Sequence, residues 1–448
     1  MSLTALQIAS RLGLHPPTAE QQAVIEADPH GASIVVAGAG SGKTETMANR
    51  VVWMLANGHV GVPEVLGLTF TRKAAGELAE RVRERVGQLV AEGIAEVDLD
   101  PLESAAVGTY NAFASSIYRE HAMLIGREPD AAVLGEASAW MLARSVASAS
   151  ADPRLVELDA SLDRVTGAVL ALSRALAENV ADTRDVQAFA RDFLAMEGLP
   201  IEAPRKRTDF ESFTSALGVV GALPPLLDLA DAYAVAKRER GYVEFSDQVA
   251  LALAICERHP EVVAAHRERA RTVLLDEYQD TSVVQTRLLA ILFRGHSVMA
   301  VGDPDQSIYG WRGASAANLA RFSNDFAGAG AAAGVYDLST SWRNPLSCSM
   351  PPTRSSSPST RGSRRRRWPP PRSHAPEASR PPGPRASRRR PISSPAGSPR
   401  DSAGAMAPLE AARCSAAPSR TSASSPRHCA CTACRCTCSA SRACSTSR

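Results

Sequence analysis

A chain of 448 residues with a formal charge of +3 is long enough to bury two or three sizeable cores. It contains no run of 18 apolar residues and no basic-then-apolar N-terminus, which argues against a membrane anchor or signal peptide and for a cytoplasmic protein. The small net charge averages two opposites: residues 351–448 hold 19 Arg, no Lys and three acids, a net of +16, against −13 for residues 1–350.

Cysteine divides the same way. Only Cys256 and Cys348 precede residue 410, and the other seven follow it, so the body reads as a reducing-compartment protein without a disulfide framework.

In chain order, residues 2–13 form a short amphipathic helix candidate stopped by Gly13 and Pro16-Pro17. Thr18 with Gln21 three places on is a capping-box pattern that starts a second helix. Ile34-Val35-Val36 then reads as a buried parallel strand. It is followed by a small-residue turn, Ala37-Gly38-Ala39-Gly40-Ser41-Gly42, and by Lys43-Thr44 opening a helix to about Asn57. Strand, glycine-rich turn and helix make a phosphate loop: backbone N–H groups converge on an anion at a helix N-terminus that already favours negative charge. Lys43 is expected to reach the β- and γ-phosphates of ATP and Thr44 to ligate Mg²⁺. The first glycine of the generic G-x-x-x-x-G-K-[ST] pattern is Ala37 here.

Val65–Phe70 predicts a second strand, Lys73–Glu92 a charged helix, and Val107–Tyr110 a third strand. From about 112 to 240 the pattern is helical and Ala/Leu-rich, with segments at Ser138–Ala149, Leu162–Glu178 and Val186–Ala195. Strand patterns resume at Thr272–Leu275 and Ser297–Val301. The economical architecture is α/β: a P-loop (RecA-like) parallel sheet in two parts, residues 1–112 and 241–346, with an all-helical insert over 113–240. Leu274-Leu275-Asp276-Glu277 ends a buried strand with paired carboxylates, where the Mg²⁺-holding acid of a phosphate-loop protein belongs. Asp276 is expected to hold the metal, and Glu277 to orient and deprotonate the attacking water.

Two further stretches carry a resemblance. Asp276-Glu277-Tyr278-Gln279-Asp280-Thr281-Ser282 and Val301-Gly302-Asp303-Pro304-Asp305-Gln306-Ser307-Ile308-Tyr309-Gly310-Trp311-Arg312-Gly313-Ala314 resemble motifs II and III of the UvrD/Rep-like superfamily 1 DNA helicases. The turn beginning at Ala37 is similar to their motif I, alanine included. Thr18–Gln21 resembles the Q motif. Leu68–Ala75 resembles motif Ia, with Arg72 where asparagine is frequent, and Val107–Phe113 motif Ib, with Asn111 where histidine is usual. Leu338–Pro345 resembles motif IV, with Trp342 in the tyrosine position. The resemblance covers about residues 14–346. Gly42–Met47 and Gly67–Leu78 look most like the AdnAB-type helicase–nuclease branch.

The resemblance implies ATP-dependent translocation on single-stranded DNA and duplex unwinding in repair or recombination. It implies roles for single residues too: Gln21 reading adenine, Gln306 contacting the γ-phosphate and the nucleophilic water, Trp342 stacking on adenine and Arg343 touching the γ-phosphate. Thr69, Thr71 and Arg72 would contact DNA phosphates, and Tyr309 and Trp311 would stack on bases. A second helicase or nuclease subunit is an expected partner. The alternative reading is a non-enzymatic nucleotide- or DNA-binding module with a basic arm.

Beyond Leu346 periodicity vanishes, and Pro, Ser and Arg dominate over 347–448, a composition that predicts disorder. Motifs V and VI are expected there and nothing resembles them. The arginine runs suit a nucleic-acid arm. Cys429, Cys431, Cys434, Cys436 and Cys438 suit a metal site. The reading that best fits the abrupt change is a shifted frame of a GC-rich gene: codons allowed for Ser347–Ser356, read two bases later, can spell Val-Leu-Asp-Ala-Ala-Asn-Ala-Val-Val. In that case the chain carries only the first motor lobe and is a partial product.

Overall fold

The computed structural model describes residues 2–94, 103–198, 207–307 and 317–341, all within one compact unit, Met1–Ser357. Helices α1 (Ala5–Arg11) and α2 (Ala19–Ile25) each start on a reciprocal capping box, Thr4 with Gln7 and Thr18 with Gln21. Then come β1 (Ala32–Ala37), α3 (Lys43–Ala56), β2 (Val65–Thr69), α4 (Arg72–Ala91), β3 (Ala106–Thr109) and α5 (Tyr110–His121). A mainly helical stretch follows: β4 (Ala132–Val133), α6 (Glu136–Ala149), α7 (Arg154–Glu157), α8 (Leu162–Asn179), α9 (Thr183–Leu194), α10 (Arg207–Gly221), α11 (Leu223–Glu239) and β5 (Tyr242–Val243). The chain then returns through α12 (Phe245–Arg258), α13 (Pro260–Arg269), β6 (Thr272–Leu275), α14 (Val283–Phe293), β7 (Ser297–Gly302), α15 (Ala317–Phe326) and β8 (Gly334–Leu338).

Six strands form one parallel sheet in the order β3-β2-β6-β7-β1-β8. Successive strand residues enter opposite cores, as the two-residue period requires. Val273 and Leu275 of β6 join the cluster that also holds Tyr110, Leu288 and Phe293, while Leu274 between them joins Met47, Val51 and Leu78 on the other face. The sheet is therefore covered on both sides, which is why its central strands read as unbroken apolar runs.

Two elements differ from expectation. β4 and β5 pair in a second, two-stranded parallel sheet, so the insert is helical except for two residues whose ladder partner lies over a hundred positions away. Among the described residues, edge strand β8 has a neighbour on one side only and exposes Val335 at 68%, so it lacks the apolar run that marks the central strands.

The insert has its own core of Ala139, Leu142, Val169, Leu229 and Tyr233. Glu211–Glu239 is long and apolar enough to cross a bilayer by composition. It is two helices rather than one, broken between Gly221 and Leu223, and Leu229 and Tyr233 of the second are buried in that core. A polar knot ties the insert back to the α/β part. Lys237, 3% exposed, lies 3.1 Å from Glu244 and 2.6 Å from Asp247, while Arg174 reaches Glu244 at 2.8 Å.

Candidate nucleotide site and the face beside it

Four of the segments singled out in the sequence leave the C-terminal end of a parallel strand, where open α/β sheets bind ligands. The glycine-rich turn follows β1, Thr71 and Arg72 follow β2, Asp276 and Glu277 follow β6, and Asp303 and Gln306 follow β7. Gly38 and Ala39 are exposed, Gly40 is half-buried, and Ala37 and Ser41 are buried. The Ser41 hydroxyl donates to the Gly38 carbonyl at 2.9 Å and closes the turn. Gly42 caps α3 at φ 83°, and a Cβ there would stand 2.9 Å from Gln21 Nε2. Glycine is thus required twice over, by conformation and by space.

Lys43 opens α3, and its ammonium lies 3.3 Å from Glu277 Oε2, 234 positions away in sequence. Glu277 itself is in the left-handed region, φ 50° and ψ 43°. Its carboxylate also accepts from Gln279 Nε2 at 2.8 Å. Gln279 is 1% exposed and accepts from the Asp303 N–H at 3.1 Å. Asp303 in turn accepts from Gln306 Nε2 at 2.5 Å. Gln306 therefore joins Glu277 through two intermediaries, Asp303 and Gln279. Gly302 makes room for this relay: a Cβ there would fall 2.6 Å from Gln279 Oε1.

Asp276 is 6% exposed, and burial, then the neighbouring Glu277, push its carboxyl up to about 6. The Tyr110 hydroxyl donates to its backbone carbonyl at 2.8 Å. A buried carboxylate short of positive charge, beside a lysine and a helix N-terminus carrying Thr44, is the donor set a divalent ion with a polyphosphate would satisfy. The residues present fit that group.

Gln21 uses its side-chain oxygen on the Thr18 N–H at 3.0 Å and its amide on the Ser41 carbonyl at 3.4 Å. Thr71 and Arg72 are exposed, with Thr71 accepting from the Ala74 N–H at 3.1 Å to cap α4. Thr69 requires a correction. Its side chain is wholly buried beside the Asp276 carboxyl, because it ends an interior strand, so it does not face solvent where a DNA phosphate would lie. Asn111 accepts from Gln285 Nε2 at 2.8 Å and works as a structural link. Tyr309, Trp311, Trp342 and Arg343 lie outside the described residues, as does the tail over 347–448.

Sequence reasoning missed two groups. Gln279 was visible inside motif II, but its role depends on a contact with Asp303 that no local pattern announces. Arg50, 1% exposed, donates to the carbonyls of Val24, Ile25, Ala27 and Asp28 at 2.9–3.2 Å, clamping the end of α2 to α3. A lone arginine at a core-facing position of an apolar helix was the available signal.

A family model described as the UvrD/REP helicase N-terminal domain matches residues 17–327. The chain belongs to the UvrD/Rep helicase family. Relatives within it include DNA helicase II of Salmonella typhimurium (strain LT2), 29% identical over 311 residues, which are 69% of this chain and 36% of that protein. DNA helicase II of Escherichia coli (strain K12) is 28% identical over 311 residues, with the same coverage of both chains. ATP-dependent DNA helicase PcrA of Staphylococcus aureus (strain Mu50) is 28% identical over 321 residues, 70% of this chain and 36% of that protein. The match to these UvrD/Rep relatives thus spans little more than a third of their length.

Proposed function

We propose that the chain is the nucleotide-binding lobe of an ATP-dependent DNA helicase, with residues 1–112 and 241–346 forming the lobe and 113–240 its insert. The observation that carries this reading is the approach of Lys43 to Glu277 at 3.3 Å, which joins the phosphate loop to the paired carboxylates at the ends of β1 and β6.

In this reading the backbone of Ala37–Gly42 and the Lys43 ammonium hold the phosphates of ATP. Gln21 already touches the loop through the Ser41 carbonyl and stands for adenine recognition. Thr44 and Asp276 are the residues that would hold Mg²⁺, which when bound neutralises charge on the phosphate oxygens. Glu277 orients the attacking water and accepts its proton. Without nucleotide it is pinned by Lys43 and Gln279, and the lysine's transfer to the phosphates frees one lone pair for that work. Gln306 reports on the γ-phosphate side, with Trp342 and Arg343 belonging to the same reading. Thr71, Arg72, Tyr309 and Trp311 are assigned to single-stranded DNA in a cytoplasmic protein. A second helicase or nuclease subunit, as in the AdnAB-type branch, and an out-of-frame origin for residues 347–448 are part of the proposal.

The test is titration with a fluorescent ATP analogue, with and without MgCl₂, against the Lys43→Ala variant. Mg²⁺-dependent binding that weakens at least about tenfold in the variant is expected, since a charge-assisted contact is worth about 1.5–3 kcal/mol. Equal binding by both proteins overturns the assignment. Processive duplex unwinding by the chain alone overturns the single-lobe reading.

A further inference from the structure

Where α5 ends against α13, metal-ligating side chains meet on a part of the molecule that the nucleotide site does not use. Glu120 and His121 close α5, and His266 lies near the end of α13, which leads into the start of β6. Each offers one ligand atom, and the three atoms lie within 4.8 Å of one another. Sequence neighbours on an unbroken helix point about 100° apart. His121 escapes that geometry: its φ of −124° and ψ of 9° take it out of the helix, and its Nε2 comes to 3.8 Å from Glu120 Oε1.

His266 supplies an independent observation. It is 7% exposed, and its Nε2 is buried without a hydrogen-bond partner among the described residues, a state that is unfavourable in a protein interior. The rings packed on it do not relieve this: Phe113 and His121 meet it edge-on, with centroids at 5.8 and 6.0 Å. Burial, and then the charges of Arg269 and His121, hold the imidazole below its usual pKa, with Glu120 opposing them. The ring is therefore neutral near pH 7, with a lone pair to give. Glu120 is held below the usual carboxylate range, chiefly by Arg269, and is an anion.

We infer that Glu120, His121 and His266 form a binding site for a divalent transition ion, zinc by preference, that ties the end of α5 to α13. Two imidazoles and a carboxylate are a known zinc donor set, and the same donors accept cobalt and nickel. Ligand atoms around a tetrahedral ion with bonds of about 2.0–2.1 Å lie about 3.4 Å apart. The groups must therefore close by at most about 1.4 Å, within reach of a side-chain rotation at exposed Glu120. The competitor is Arg269, whose guanidinium forks the Glu120 carboxylate at 3.0 and 3.3 Å. Arg269 is 61% exposed along its side chain, and an exposed pair of this kind is weak in water, so an ion displaces it at little cost. The inference is independent of the nucleotide reading.

The experiment uses the untagged full chain with its accessible thiols alkylated, because the cysteines beyond residue 410 would take zinc on their own. Titration calorimetry with Zn²⁺ and the visible absorption of Co²⁺ read the site. One equivalent of Zn²⁺ is expected, with tetrahedral Co²⁺ bands. His121→Gln and His266→Gln should each weaken binding at least about tenfold, as loss of even an outer-shell group does. Arg269→Ala should tighten it several-fold by releasing Glu120. If His266→Gln fails to fold, loss in His121→Gln together with gain in Arg269→Ala carries the decision. No zinc uptake after alkylation, or uptake that His121→Gln and Arg269→Ala leave unchanged, overturns the site.

Discussion

Glu277 occupies the left-handed region with φ 50°, a conformation that costs a non-glycine residue about 1–3 kcal/mol and persists only where its surroundings enforce it. Here Lys43 and Gln279 both hold its Oε2. Gln279→Ala removes one of these supports and leaves the buried Asp303 N–H unpaired, so a loss of about 1–3 kcal/mol in denaturant-measured stability is expected. An unchanged midpoint would mean that water replaces the amide. Asp276 behaves in the opposite sense. Its folded carboxyl sits at about 6 against a usual 3.8, so between those values the folded chain binds more protons than the unfolded one, and stability falls as pH rises through that window. Asp276→Asn is accordingly expected to stabilise the nucleotide-free chain at pH 7–8 by about 1–2 kcal/mol. The same variant should abolish the gain in melting temperature given by Mg²⁺ with ADP. In the parent chain that gain should shrink as pH drops below about 6, where the carboxyl takes up its proton. A variant that melts lower and still responds to Mg²⁺ would refute both halves.

At the scale of elements, the distance between α2 and the phosphate loop is set by a side chain that belongs to neither. Arg50 projects from α3 and satisfies four carbonyls at and beyond the C-terminus of α2, where a cation is also favoured by the helix dipole. Burial pushes its guanidinium down to about 10, still charged at neutral pH. Arg50→Met fills the space but takes the guanidinium donor from the carbonyls of Ile25, Ala27 and Asp28, while Val24 keeps the Ala27 N–H at 3.3 Å. A loss of about 1–3 kcal/mol for each carbonyl left unpaired is expected, together with weaker selection of ATP over other triphosphates if Gln21, which rides on α2, reads adenine. A variant as stable as the parent would show that the clamp is dispensable. This contact also marks the limit of what the sequence discloses. β1, β2, β6 and β7 are legible because central parallel strands are apolar on both faces, and the loop before α3 because only small residues and glycines allow its turn. The Arg50 clamp, the Gln279 relay and the β4–β5 pairing join residues 22–26, 24 and about 110 positions apart. β8 is hidden for another reason, since an edge strand does not need apolar residues on its exposed face.

Across the whole molecule, charge is the property that most complicates a DNA-binding measurement. The described lobe lies within residues 1–350, which carry a net −13, whereas residues 351–448 carry +16. Nineteen arginines will bind any polyanion by releasing its counterions, whatever their origin, and that affinity falls steeply with salt. DNA binding by the full chain therefore says little about a motor lobe unless two components are separated. The arginine component should be steep in salt, indifferent to nucleotide, and as strong for heparin as for DNA. The lobe component should be shallow in salt, confined to single strands, and altered by Mg²⁺ with an ATP analogue. A chain ending at residue 346 is expected to lose the first component entirely and to keep analogue binding within about twofold, because the residues that touch in the nucleotide site all precede that point. Fluorescence anisotropy of labelled oligonucleotides across a salt series reads both components at once. If shortening the chain instead removes a nucleotide-sensitive component, residues 347–448 act with the motor lobe, and an out-of-frame origin for them is ruled out. If it removes only the steep one, the arginines are electrostatic baggage, and the contacts proposed for Thr71 and Arg72 become the ones to dissect.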